Sequence, residues 1–141
     1  MTRINLVVPS ELSDQHLVAE YREIFMVGSS LQRSMKSKNW EKTLANIPKK
    51  YTLNMGHVTF FYDKGKYLYK RYDSLVEEMK KRGMNPNPER RFKTDQWPKG
   101  LFKDWEPEPE DYKVIRARIK EKIEMKPDWY RFSSAKLFKR R

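Results

Sequence analysis

Apolar residues in this chain recur at intervals of three and four in three separate stretches, a spacing that commits most of its hydrophobic surface to α-helices. The first stretch starts near Ser13 or Asp14, either one a suitable N-cap, and carries Leu17, Tyr21, Ile24, Gly28, Leu31 and Met35 on one side. Gly28, followed by Ser29 and Ser30, marks where that helix is expected to kink or break. The second runs from an N-cap at Asp63 through Leu68, Tyr72, Leu75, Val76 and Met79, and stops at Arg82 with Gly83 as its cap. The third opens after Pro107 and Pro109. Glu108, Glu110 and Asp111 sit at the positive end of its dipole, Tyr112, Ile115, Ile119 and Ile123 form its stripe, and Pro127 stops it. Residues 38–62 include Pro48, Gly56 and one alternating piece, His57 to Tyr62, with the period of a strand. Residues 84–109 hold five of the eight prolines and read as loop, ordered by Phe92, Trp97, Phe102 and Trp105. The expectation is an all-α fold: a single compact domain over residues 1–141, with three main helices, long ordered loops and an aromatic and basic C-terminal tail.

Charge narrows the partners. Thirty-one Lys and Arg against nineteen Asp and Glu leave a net +12. Nucleic acid suits such a surface, because each phosphate neutralised releases a counterion; an acidic protein or anionic lipid is the other class of partner it allows. The chain has no cysteine, so it forms no disulfide or thiolate metal site. His16 and His57 lie too far apart in sequence to suggest a ligand pair, and no metal or other cofactor is expected. Gly-rich phosphate loops, G-x-S-x-G and HExxH are absent. No apolar run has the length of a membrane span, and the N-terminus lacks a basic-then-apolar leader. A soluble intracellular protein with no membrane partner is therefore expected.

Chemistry then falls to less conspicuous groups. Residue 2 is Thr, small enough for the initiator Met to be removed, which leaves a free α-amine. Such an amine has an ordinary pKa near 7.7–8, against about 10.4 for lysine, so about 10% of it is neutral at pH 7. Positive neighbours lower that value further, and the neutral amine is a nucleophile toward a sugar C1′ or an aldehyde. On the first helix Gln15, His16, Glu20, Arg22 and Glu23 lie off the apolar stripe; 15 with 22, and 16 with 20 and 23, share faces. A carboxylate among cations can steady a cationic transition state or move a proton; the same residues also suit a solvated helix face. The tail Trp129-Tyr130-Arg131-Phe132 is built either to stack on bases or to anchor itself to the core, and different members can do each.

Taken together, these segments resemble a known family. Thr2-Arg3-Ile4-Asn5-Leu6, Ser10-Glu11-Leu12, Asp14-Gln15-His16-Leu17 and Ala19-Glu20-Tyr21-Arg22-Glu23 are similar to the amino-terminal signature of the phage-type pyrimidine-dimer DNA glycosylases. Gly56-His57-Val58-Thr59-Phe60-Phe61-Tyr62-Asp63-Lys64 is a second matching block, and Glu121-Lys122-Ile123 with Pro127, Trp129 and Tyr130 a third. The resemblance implies a DNA repair glycosylase with coupled abasic-site lyase activity, acting on double-stranded DNA that contains damaged bases. It implies that the Thr2 amine attacks C1′ and forms an imine, with Glu23 as the catalytic carboxylate. Arg3, Gln15, His16, Arg22 and Lys122 are implied DNA contacts, and Trp129, Tyr130 and Arg131 join them through the tail. Members kink the duplex and flip a nucleotide. Two departures stand at the site: Ile24-Phe25-Met26 replaces a Leu-Pro-Arg whose arginine meets the lesion phosphates, so Met26 bears on lesion choice, and the tail has Arg131-Phe132-Ser133 in place of a Lys-Tyr-Tyr run. Arg33 or Lys36 can supply the missing cation; otherwise the same chemistry serves another damaged base. A DNA-binding protein that keeps the fold without catalysis is the rival reading.

Overall fold

A computed structural model describes residues 3–133. Its ordered elements are helical, and no strand occurs among the described residues. In chain order they are α1 (Asp14–Glu23), α2 (Phe25–Met35), α3 (Trp40–Ala45), α4 (His57–Phe60), α5 (Gly65–Lys81) and α6 (Pro109–Met125), with short 3-10 turns between them. The N-cap of α1 is Ser13, whose hydroxyl accepts the His16 N–H at 3.0 Å. α5 ends at Arg82, with Gly83 in the left-handed region at φ 82°, as its sequence dictates. At the start of α6, Asp111 accepts the Glu108 N–H at 2.9 Å.

The predicted stripes meet in one core. Leu17 from α1, Ile24 at the α1–α2 junction, Leu31 from α2 and Leu68 and Leu75 from α5 are fully buried, and each such side chain contributes about 1.5–3 kcal/mol by leaving water. Tyr21 stacks on Tyr72 across the α1–α5 contact. α6 is only lightly anchored, with Ile115 alone buried among its residues, and α3 buries none of its own. The 84–109 loop is packed as predicted: Trp97 is buried, and Phe92, Phe102 and Trp105 are half-buried against the core.

Three local expectations are corrected. The first helix divides at Ile24, not at Gly28. The Arg90 guanidinium bonds the Tyr21 and Arg22 carbonyls, at 2.5 and 3.0 Å, while lying on the Phe25 ring, and so interrupts the helix end there. Gly28 is buried inside α2, where a Cβ would stand 2.3 Å from Gln96 Oε1, so it permits close packing rather than bending. The alternating piece His57–Tyr62 is α4 followed by a 3-10 turn; His57, Phe60, Phe61 and Tyr62 are all buried, a helical rather than a period-two pattern. Asp63 does not cap α5; the cap position is Lys64, whose ammonium pairs with Asp63 at 2.7 Å.

Residues 4–7 run through the centre of the molecule, buried yet outside any helix. A buried backbone without a ladder must find its partners among side chains, and this requirement sets up the site.

Candidate functional site

The Glu20 and Arg71 side chains supply most of those partners. Asn5 donates to Glu20 Oε1 through its backbone N–H (3.2 Å) and its side-chain amide (2.9 Å). Arg71 grips the same carboxylate with two bonds, Nε to Oε2 at 2.7 Å and Nη2 to Oε1 at 3.0 Å. Its Nη1 reaches the Leu6 and Val7 carbonyls at 3.1 and 2.6 Å. Burial works against the Arg71 charge, but Glu20 outweighs it and holds the guanidinium above its ordinary value. Glu20 therefore does not belong to a solvated face, as its place off the stripe suggested; it is 1% exposed. Leu6 has φ 57°, unusual for a side chain with a Cβ, in a tight turn where Val7 N–H meets Asn5 O. The Arg71 bonds to the Leu6 and Val7 carbonyls hold the strained conformation in place.

Ile4 is held just as firmly. Its N–H donates to His57 Nε2 at 2.8 Å, and its carbonyl accepts the Tyr51 hydroxyl at 2.7 Å. Arg3, next in line, is half-buried, and its Nε is buried without a hydrogen-bond partner among the described residues. Burial and then the charge of Arg118 push the Arg3 pKa down, while Tyr51, Glu23 and Tyr130 act in the opposite sense. Arg3, Glu23, Arg118 and Tyr130 thus share one electrostatic neighbourhood, drawn from the N-terminal segment, the end of α1, α6 and the tail.

His16 joins it. Its ring stacks on Tyr130 with centroids 4.9 Å apart and 9° between planes, and its Nδ1 meets the Ser13 hydroxyl at 2.7 Å. Burial first, and the nearby Arg3 charge second, hold its pKa below the ordinary value, so the ring is neutral at pH 7. Gln15 is engaged with the tail: its amide nitrogen donates to Trp129 O at 2.6 Å and its oxygen accepts the Arg131 N–H at 3.0 Å. Asp14 N–H also meets Arg131 O at 2.6 Å, and Ser133 N–H meets Asp14 Oδ1 at 3.1 Å. The tail backbone is thereby docked on the start of α1 while the Trp129 indole is left 55% exposed. Tyr130 packs inward and Trp129 outward, the division of labour left open by sequence. Arg22 and Arg131 are exposed, Glu23 is half-buried, and Met26 is 51% exposed one turn beyond Arg22. Lys122 is half-buried on α6, one helical turn from Arg118. Thr2 lies outside the described residues.

Sequence reasoning missed Glu20–Arg71, His57, Arg90 and Arg118. For the first pair a signal existed: Glu20 and Arg71 each flank the edge of an apolar arc, Leu17–Tyr21–Ile24 and Leu68–Tyr72–Leu75, where a charge can be enclosed and then needs a buried partner. Arg118 has no such signature, being one of many α6 cations.

Chemically, the cluster offers cations and a carboxylate around the inner end of an immobilised N-terminal segment, beside an exposed aromatic. Comparison with known families adds one finding: a family model described as pyrimidine dimer DNA glycosylase matches residues 1–92. The match takes in Arg3, Gln15, His16, Arg22, Glu23, Met26 and Arg71, and ends before Arg118, Lys122 and the tail.

Proposed function

The chain belongs to the pyrimidine dimer DNA glycosylase family, and from that premise we propose that it excises damaged pyrimidines with the α-amine of Thr2 and then cleaves the abasic strand as a lyase. The neutral amine attacks C1′ as the glycosidic C–N bond breaks, and the base leaves with that electron pair and takes up a proton. The amine loses its protons as the C1′–O4′ bond opens, giving an imine at C1′ and a hydroxyl at C4′. The protonated imine withdraws electrons from C2′; a C2′ proton departs, the C3′–O bond breaks, and the phosphate leaves on the 3′ side. Water then hydrolyses the imine and frees the amine.

One observation carries this reading. The Ile4 peptide is held at both its N–H and its carbonyl, and Arg3 beyond it lies within the electrostatic reach of Glu23. Two residues of chain extend at most about 7 Å, so the amine's range from Ile4 is short. Glu23 is the carboxylate that steadies the cationic sugar and moves the proton, and Arg3 and Arg118 disfavour a charged amine. Arg3, Arg22, Arg131 and Lys122 meet phosphates, His16, Gln15 and Tyr130 set the tail so that Trp129 faces the bases, and Met26, exposed one turn past Arg22, borders the same DNA surface. The substrate is double-stranded DNA containing damaged bases, cyclobutane pyrimidine dimers first among them.

Borohydride trapping on dimer-containing and abasic duplexes tests this directly. Reduction freezes the imine, and peptide mass spectrometry is expected to place the adduct on Thr2 after loss of Met1. An adduct on a lysine overturns the nucleophile; binding with no adduct on either duplex supports the non-catalytic rival.

A further inference from the structure

His57 is 2% exposed, and both its ring nitrogens are engaged. Nδ1 lies 2.7 Å from the Thr52 carbonyl, which only accepts, so Nδ1 carries the proton. Nε2 lies 2.8 Å from the Ile4 N–H, which only donates, so Nε2 must be bare. The ring is therefore neutral and in one tautomer. It packs edge-on against Tyr51 and Phe61, and Tyr51 returns a bond from its hydroxyl to Ile4 O. Residues 51–57 thus close on the Ile4 peptide from both sides, using side chains where a sheet would use backbone.

We propose that His57 is a positioning residue for the glycosylase reaction, acting through Ile4 to fix the direction in which the chain runs back to its nucleophilic terminus. This inference rests on the Thr2 reading above. The bond to Ile4 requires bare Nε2, so a second proton on the ring replaces an attraction by two opposed N–H groups and releases the segment. The charged groups around His57 oppose that proton on balance: burial and the Arg3 cation disfavour it, while Glu20, itself paired with Arg71, and the Thr52 carbonyl favour it, and its pKa stays below the ordinary histidine value. Tyr51 is neutral, its own pKa pushed up by burial. The clamp is closed at neutral pH and opens only in acid, below the pH at which an ordinary histidine takes up its proton. A displacement of about 1 Å at a reacting group costs on the order of 10²-fold in rate.

Two full-length variants separate positioning from packing. His57→Phe keeps a ring in the space and loses both bonds; His57→Gln loses the ring and keeps an oxygen that can accept the Ile4 N–H. Single-turnover borohydride trapping on an abasic duplex is measured from pH 5 to 8, with affinity for the same duplex and melting temperature in parallel. The expected result is a roughly 30- to 100-fold slower trapping rate for His57→Phe at pH 7.5 with affinity changed less than about threefold, and a rate for His57→Gln within about fivefold of wild type. The acid limb of His57→Gln should be shallower by about one proton, because the amine still titrates and His57 no longer does. A fast His57→Phe, a slow but folded His57→Gln, or identical acid limbs overturns the proposal. Should His57→Phe fail to fold, the His57→Gln profile decides alone. Mapping the wild-type adduct distinguishes the failures: an adduct away from Thr2 sinks the nucleophile and this inference together, whereas an adduct on Thr2 with indifferent variants sinks this inference alone.

Discussion

Glu23 and Glu20 lie three residues apart on one helix and have opposite fates, which shows what spacing can and cannot tell. Both sit off the Leu17–Tyr21–Ile24 stripe in sequence, but Glu20 is enclosed with Arg71, whereas Glu23 is half-buried in the neighbourhood of Arg3. Glu23→Gln preserves shape and hydrogen bonding while removing the charge a cationic sugar would feel. It is expected to lower trapping and incision by about 10²-fold or more with dimer-duplex affinity kept within a few-fold, measured by single-turnover kinetics beside equilibrium binding; wild-type turnover would reduce Glu23 to a helix-surface residue. Met26 poses the reverse question, a position where an expected charge is missing. Its side chain is exposed one turn past Arg22, and Arg33 and Lys36, also exposed, are two turns or more further along. Met26→Arg adds one charged hydrogen-bond donor there, worth about 1.5 kcal/mol when it meets a phosphate, or roughly tenfold in affinity. Dimer-duplex titrations are expected to show tighter binding by that order, and no change would mean that Met26 does not face the phosphates. The N-terminal signature singled out Arg3, Gln15, His16, Arg22 and Glu23 as candidates. Their assembly was not, because Arg118, Tyr130 and Glu23 approach Arg3 only through tertiary packing.

At the scale of elements, the helices followed from periodicity and caps because Leu17, Leu68 and Leu75 bury their stripes where the spacing put them. The exceptions had tertiary causes. Arg90, from a distant loop, sets the α1–α2 break by capturing carbonyls, and α4 is helical because His57, Phe60 and Phe61 all turn inward around the N-terminal segment. What joins these elements is the Glu20–Arg71 pair, linking α1, α5 and residues 5–7 in one dry network. Removing one partner leaves an uncompensated buried charge, so Arg71→Met is expected to cost about 3–5 kcal/mol. Replacing both, Glu20→Leu with Arg71→Met, should recover part of that loss, since well-packed apolar groups often substitute for a buried pair. Denaturant titrations of the two singles and the double give the coupling; a single variant costing under about 1 kcal/mol would show the network to be hydrated. A second test concerns the α5 start. A Cβ at Gly65 would stand 2.7–2.8 Å from the Trp97 and Phe102 rings. Gly65→Ala should therefore destabilise by about 1–3 kcal/mol through overpacking, despite alanine's better helix propensity.

Across the whole molecule, the net +12 charge is carried by a surface whose site-proximal cations come from four separate segments: Arg3, Arg22, Arg118 with Lys122, and Arg131. None of these segments is basic enough alone to mark a nucleic-acid face, so sequence showed the charge but not its placement. If these five cations each neutralise one phosphate, the logarithm of affinity for undamaged duplex should fall with the logarithm of salt at a slope of about −4.5, since each contact contributes about −0.9. Between 50 and 200 mM salt that slope corresponds to a loss of roughly 500-fold. Arg22 is the most informative single position, because it is exposed on α1 and its backbone carbonyl, not its side chain, holds the Arg90 bond that shapes the helix end. Arg22→Ala should therefore leave the fold intact, lower affinity for any duplex, damaged or not, and make the slope shallower by about 0.9. The chemical step at saturating DNA should be much less affected, because a phosphate contact positions the duplex and takes no part in bond breaking. Fluorescence anisotropy across a salt series, wild type beside Arg22→Ala, measures all of this. A flat wild-type response would mean that the cations around Arg3 do not face DNA, and an unchanged slope in the variant would place Arg22 outside the contact.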